Sequence, residues 1–393
     1  MNRRQLITGI AASAGAAVRD WAAVRADFPA AQTQAFLNPA GYCPIGTPMA
    51  EAVKRYVTHL TRGGSGEDPA VPESKRLFAK LVNCADSEVS IIPSTLAGEN
   101  IIAAGMGLHN GRGNVVTDEL HYHGGLYLYR SLEQAGLQVR IVKQKEWRTD
   151  PADIAAAVDR NTRLVAITLV SNINGFQHDA AKVSSVAHAS GAYLYADIVQ
   201  AAGCVPVDLR GSGIDFAAAS GYKWLMGMRG FGFLYVRTGL EDRVLKRTQF
   251  GDRQYTDFEY HRFPGSPPGP APYSWKPVSD GRRYETGNVN EAGAACAVES
   301  LRYILNLGIG RMQEHARPLI EKVRKEVAAR GYPCITPPGE PAPVAAFLVE
   351  QPEALTAKLK KANVNAKVKW KQLRVSIAAF NNGEDVERLV EAL

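Results

Sequence analysis

AYLYADIVQAAGCVPVDLRGSGIDFAAASGYKWLMGMRGFGFLYV, residues 192–236, decides how the chain is read. Two short apolar runs, 192–196 and 215–219, are followed by a glycine-rich turn and a third run, 233–236. Runs of this length bounded by turn residues suit strands buried on both faces of a parallel sheet. The first run ends on Asp197, with Gln200 three residues later. The second ends on Ser220-Gly221-Tyr222-Lys223. Ligands of open α/β sheets gather outside the carboxyl ends of the strands. Asp197 and Lys223 therefore stand where chemistry is usually done.

A lysine beside a carboxylate suits pyridoxal 5'-phosphate (PLP). That cofactor needs an amine for a Schiff base and an acid to keep its pyridine nitrogen protonated. A buried lysine with a lowered pKa serves as both amine and proton shuttle. Either residue alone fits an ordinary core ion pair equally well. The pattern Asp197-Ile198-Val199-Gln200, then Ser220-Gly221-Tyr222-Lys223, with 223 − 197 = 26, goes further. It resembles the class V aminotransferase family of fold-type I PLP enzymes, a group that includes cysteine desulfurases and isopenicillin-N-epimerase-like proteins. The resemblance implies that Lys223 carries PLP and Asp197 holds the pyridine nitrogen. It also implies that Ser220 and Tyr222 bind phosphate, and that Gln200 binds the cofactor.

Further phrases extend the resemblance in order along the chain. Ser94-Thr95-Leu96-Ala97-Gly98-Glu99-Asn100 opens an apolar helix, where free N–H groups and the dipole favour an anion. A plain N-cap would look the same. The family's phosphate turn aligns Thr95 and Leu96 with the cofactor, although Leu96 lacks a hydroxyl and offers only its amide. Leu120-His121-Tyr122-His123-Gly124 follows a strand over 113–117; by resemblance Tyr122 stacks on the pyridine, with His123 as the alternative. Two histidines at i and i+2 also suggest a metal, but no third ligand has a recognisable spacing. Ser171-Asn172-Ile173-Asn174-Gly175 ends another strand and places Asn172 against the cofactor or the substrate carboxylate. Asn38, in Leu37-Asn38-Pro39, is a candidate substrate contact or a simple turn residue. Glu285-Thr286-Gly287-Asn288 resembles the phrase through which one subunit reaches the other's phosphate, which implies a homodimer with shared active sites. Leu373-Arg374-Val375-Ser376 then supplies Arg374, a planar guanidinium suited to a substrate α-carboxylate.

Composition is that of a soluble globular chain: 393 residues, 46% hydrophobic, 22% charged. The net charge of +7 suits anionic ligands, but it is dispersed rather than striped, so nucleic acid is a poor partner; the resemblance implies a small-molecule amino acid instead. Five scattered cysteines show no CxxC spacing. No segment has the ~18 apolar residues of a membrane span. Asn2-Arg3-Arg4-Gln5-Leu6 resembles a twin-arginine export signal, so the expected location is cytoplasmic, with the periplasm as the alternative. The expected divisions are an extension or signal over 1–17, a large PLP-binding domain over 18–288 and a smaller α+β domain over 289–393. The expected fold is α/β, fold-type I, with a mainly parallel sheet and helices on both faces.

The basic run from Lys358 to Lys371 reads as a solvated face. It lacks the cysteine that desulfurases carry before their arginine, which argues against persulfide chemistry. Resemblance therefore implies an amino-acid substrate, a Schiff base and a Cα carbanion, with epimerisation or elimination first and transamination second. A non-catalytic PLP-fold sensor is the rival from another class.

Overall fold

The protein is described from a computed structural model over residues 19–64, 69–256 and 276–393. The twin-arginine stretch and the proline-rich residues 265–272 lie outside the described residues. The N-terminal part runs α1 (Trp21–Ala26), α2 (Pro29–Thr33), β1 (Ala35–Phe36), α3 (Thr47–Thr61), α4 (Ala70–Val82), β2 (Val89–Ile92) and α5 (Thr95–Gly105). Next come β3 (Asn114–Asp118), α6 (His123–Glu133), β4 (Gln138–Val142), α7 (Pro151–Ala157), β5 (Thr162–Thr168) and α8 (Ala180–Ala189). Then follow β6 (Tyr193–Asp197), β7 (Phe216–Ser220), β8 (Gly232–Val236), and a two-residue pair β9 (Tyr255–Thr256) and β10 (Lys276–Pro277). The chain closes through α9 (Glu291–Leu307), α10 (Ile309–Ala329), β11 (Val344–Leu348), α11 (Pro352–Lys361), β12 (Val364–Asn365), β13 (Lys367–Lys369), β14 (Gln372–Ser376) and α12 (Gly383–Glu391).

Seven strands form the main sheet in the order β2-β8-β7-β6-β5-β3-β4. All pairs are parallel except those made by β8, which runs antiparallel to β2 and β7. Successive side chains of a strand point to opposite faces, and the packing follows that rule. Val165, Ile167, Leu194, Ala196, Ala217, Phe233 and Tyr235 join one apolar cluster with residues of α3, α4, α8 and α9. Leu164, Ala166, Tyr195, Phe216, Ala218, Leu234 and Val236 join another with α5 and α6. Helices therefore cover both faces, and the central strands are continuous apolar runs because neither face meets water.

A second, three-stranded antiparallel sheet, β11-β14-β13, packs with α10, α11 and α12 around its own core. Ala35 and Leu37 belong to that core, and β1 pairs in parallel with β12. The lysines of the basic run are exposed, as a solvated face requires, and around them 364–365 and 367–369 are strands. Those residues are the strands β12 and β13, and β13 pairs with β14 so that Lys367 lies across from Arg374. Among the described residues no helix is long and apolar enough to cross a membrane.

Candidate active site

The site forms where β5, β6 and β7 end on the same edge of the sheet. Parallel register sets Thr168 beside Asp197 and Asp197 beside Ala218. Lys223 follows β7 by three residues, after a turn in which Gly221 N–H donates to Phe231 O at 2.8 Å. Asp197 is 1% exposed and Lys223 8%. One carboxylate oxygen of Asp197 accepts the Val199 N–H at 2.9 Å.

Burial acts in opposite directions on the two groups, because it penalises whichever form carries charge. It lifts the Asp197 carboxyl to about 6, against the pull of the Val199 amide and the Lys223 charge. It lowers the Lys223 amine to about 8, against the pull of Asp197 and with help from Arg374 and Lys367. The two candidate catalytic residues therefore sense each other in one water-poor pocket. Lys223 Nζ also lies 5.9 Å from the Tyr122 ring centre and 5.8 Å from that of Tyr222.

The N-terminus of α5 meets the end of β7. Thr95 N–H donates to Ser220 Oγ at 2.8 Å, Ser220 N–H donates to Thr95 Oγ1 at 2.9 Å, and the two hydroxyls are 2.9 Å apart. Ser94 caps the helix by accepting from Ala97 N–H. The Leu96 amide is among the helix-start donors that no intrahelical carbonyl can reach. Thr95 and Ser220 are thus held at one corner, with Leu96 next along the helix.

Tyr122 starts α6, its N–H donating to Thr168 Oγ1 at 2.9 Å, and His123 lies against it at 4.3 Å between ring centres. Arg374 reaches from β14: its Nη1 donates to the Asn172 carbonyl at 2.6 Å. Burial lowers its guanidinium to about 10. Gln200 is tied down at both ends, its Nε2 donating to Ala40 O at 2.9 Å and its Oε1 accepting from Trp224 Nε1 at 2.7 Å. One amide hydrogen of Gln200 remains for any ligand.

Asn288 is the exception. It lines a cavity of about 700 Å³ with Pro93, Ala97, Asn100 and Thr286, and none of Lys223, Asp197, Tyr122 or Arg374 is in its walls.

Residues that sequence reasoning passed over support this site from below. Glu99 Oε1 accepts from Tyr129 OH at 2.7 Å and lies 2.9 Å from His121 Nε2. His121 Nδ1 is 3.0 Å from Thr168 Oγ1. All are buried. Burial alone would depress the His121 imidazole, but the Glu99, Asp197 and Asp118 carboxylates outweigh it and raise its pKa. The signal was there, in Glu99 four residues beyond the Thr95 turn and in His121 beside Tyr122. Nothing local shows that the two meet.

PLP fits these residues. A buried acid, Asp197, and an amine whose pKa burial lowers, Lys223, supply the acid and the amine that it needs. Asn38 Oδ1, Asn172 Oδ1 and Arg374 Nε are buried with no partner in the protein. Buried polar atoms are rarely left unpaired, so each points to a polar ligand.

Comparison with known proteins agrees. The model of the family described as Aminotransferase class-V matches residues 67–389. A probable cysteine desulfurase of Methanothermobacter thermautotrophicus is 29% identical over 319 residues, 78% of this chain and 75% of that protein. The apo structure of the cysteine desulfurase from Thermococcus onnurineus superposes with a TM-score of 0.84 at 22% identity, covering 96% of this chain and 98% of the other. C-DES, with glycine covalently linked to its PLP cofactor, has a TM-score of 0.80 at 19% identity, over 93% and 98% of the two chains. C-DES is also solved as a cystine C-S lyase with its product cysteine persulfide, with a TM-score of 0.82, 19% identity and the same coverage. Family match and fold converge, and the chain belongs to the class-V aminotransferases as a PLP-dependent enzyme that acts on an amino acid.

Proposed function

We propose that the protein is a lyase that removes the Cα proton and a β-substituent from its amino-acid substrate. The observation that carries this reading is the pairing of Lys223 and Asp197 in one buried pocket with no reactive cysteine beside it. Cys43 touches the lysine's neighbour, its N–H donating to Tyr222 O at 2.9 Å. It is 6% exposed, and burial pushes its thiol well above the ordinary range. A protonated, enclosed thiol is a poor persulfide acceptor. Residues 363–369 form β12 and β13 and contain no cysteine. Sulfur transfer to the protein is therefore disfavoured, and the β-substituent would depart with its bonding electron pair as a free anion instead. That C-DES is a cystine C-S lyase shows that this fold supports such an outcome.

In this reading Lys223 holds PLP through its amine and Asp197 holds the pyridine nitrogen. Tyr122, or alternatively His123, would stack on the ring. Thr95, Ser220, Tyr222 and the Leu96 amide would hold the phosphate, Gln200 would bind the cofactor, and Asn172 would contact the cofactor or the substrate carboxylate. When bound, PLP supplies an electron sink for the bond broken at Cα. Arg374 and Asn38 position the substrate, with Arg374 on its α-carboxylate. Lys223 Nζ, freed when the substrate's own amine takes its place on the cofactor, would then take the Cα proton in its neutral form, which burial makes more populated than in a surface lysine. The large domain is assigned to 18–288 and the small domain to 289–393, although α9 packs against the main sheet's helices. Asn288, remote from its own Lys223, is assigned to a partner subunit's phosphate, making the enzyme a homodimer with shared sites.

The test is direct. PLP-loaded protein should show a visible band that borohydride bleaches, with the adduct on Lys223 by peptide mass spectrometry, and Lys223→Ala should abolish both. Product analysis across β-substituted amino acids should find ammonia and a 2-oxo acid without a second amino acceptor. An absolute need for a 2-oxo acid would make the enzyme a transaminase. Accumulation of the D-isomer would make it an epimerase.

A further inference from the structure

The small sheet places four polar side chains on one face beside Lys223. Register sets Lys367 directly across from Arg374, and Lys369 across from Gln372. Directly opposed residues of antiparallel strands share a face, as do residues two apart on one strand. That face is turned toward the end of β5. Gln372 Nε2 donates to Ile173 O at 2.7 Å, and Arg374 Nη1 to Asn172 O at 2.6 Å.

Other groups confirm where the lysines lie. Burial lowers the His123 imidazole first, and the charges of Lys369, Lys367 and Lys223 lower it further. Lys367 is itself depressed by burial and then by Arg374 and Lys369. Trp370, 68% exposed, has Lys369 Nζ 4.2 Å from its ring centre and His123 6.3 Å away. Like charges placed directly opposite on a sheet are destabilising. Among the described residues no carboxylate forms an ion pair with Lys367, Lys369 or Arg374, and Arg374 Nε is buried without a partner. Lys367 and Lys369 are exposed beside the buried Arg374, so an α-carboxylate held on Arg374 would leave both lysines open to a second anion. The phosphate corner at Thr95 and Ser220 lies on a different element, so it does not explain the lysines.

We propose that Lys367 and Lys369 form a clamp for a second anionic group, so that the substrate is an amino acid with an acidic side chain: a distal carboxylate, sulfinate or sulfonate. The proposal rests on the lyase reading only for Arg374's hold on the α-carboxylate. The side-chain acid docks on the β13–β14 hairpin, while Arg374 retains the α-carboxylate.

Two measurements on the full PLP-loaded chain separate this idea from the reading beneath it. In the first, lysine acylation is followed by peptide mass spectrometry. Succinate should protect Lys367 and Lys369 several-fold more than propionate at equal concentration; equal protection overturns the clamp. This readout does not depend on any reaction at Lys223. In the second, the visible band is titrated with L-alanine, L-aspartate and L-cysteate. The two acidic amino acids should bind about ten-fold more tightly than alanine, as expected for one charge-assisted hydrogen bond. Lys367→Met, and to a lesser degree Lys369→Met, should collapse that preference. A preference that survives both substitutions, or a wild-type band that all three amino acids move equally well, overturns the proposal. Protection by succinate with a band that no amino acid moves would uphold the clamp and sink the lyase.

Discussion

Burial sets the chemistry of Lys223. An amine lowered to about 8 is substantially neutral, and so nucleophilic, at a pH where a surface lysine is not. Capture of PLP by cofactor-free protein should therefore accelerate through a midpoint near pH 8 and level off, rather than climb towards the ordinary lysine value. Stopped-flow absorbance would check this, and a midpoint above 10 would mean the amine is solvated. Glu99 makes a different case. It serves two donors at once, Tyr129 and His121, from a position 1% exposed. Glu99→Ala should cost about 3–5 kcal/mol in denaturant unfolding, because it leaves the raised imidazole without its main counter-charge. The sequence made Asp197, Lys223 and Arg374 legible because each sits in a phrase that ends a strand or lies along one. Glu99 and His121 were not legible. Their partnership is made by packing α5 against α6, which no local pattern encodes.

At the scale of elements, the exchange of hydrogen bonds between Thr95 and Ser220 holds the start of α5 on the tip of β7. Thr95→Val keeps the shape but leaves the buried Ser220 N–H without its acceptor. Calorimetry of the variant should find about 1–3 kcal/mol of lost stability, and PLP should bind more weakly because the corner loosens. Wild-type stability in that variant would mean the corner is held elsewhere. The start of α5 could be read from Ser94, a capping residue before an apolar run. The β13–β14 hairpin could not. Its turn is Trp370-Lys371, with Trp370 at φ 55°, a backbone region where Gly or Asn is the usual signal. Without that signal, Lys367-Val368-Lys369 reads as a solvated face, which its two exposed lysines are, but not as a strand. Its period-two alternation was the only clue left.

The whole molecule carries a cost for its site. Asp197 has an ordinary value of 3.8 and a folded value of about 6. The folded protein therefore binds the extra proton between those values, and stability falls as pH rises through that window. The shift of 2.2 units corresponds to about 3 kcal/mol at most. Cofactor-free Asp197→Asn should lose this part of the decline between pH 4 and 6 and exceed the wild type above it. Urea midpoints across that range would show it, and parallel curves would refute it. The α/β architecture was legible at this scale, because strand after strand reads as an apolar run closed by turn residues. What no window could reveal is the pairing of β1 with β12, between Ala35 and Val364.

That pairing has a consequence for biosynthesis. Ala35 leaves the ribosome 329 residues before its partner Val364. At typical elongation rates the first strand waits on the order of 15–65 s for a mate. Throughout that interval the nascent chain exposes apolar Ala35, Phe36 and Leu37, which makes its early life a natural occasion for chaperone capture.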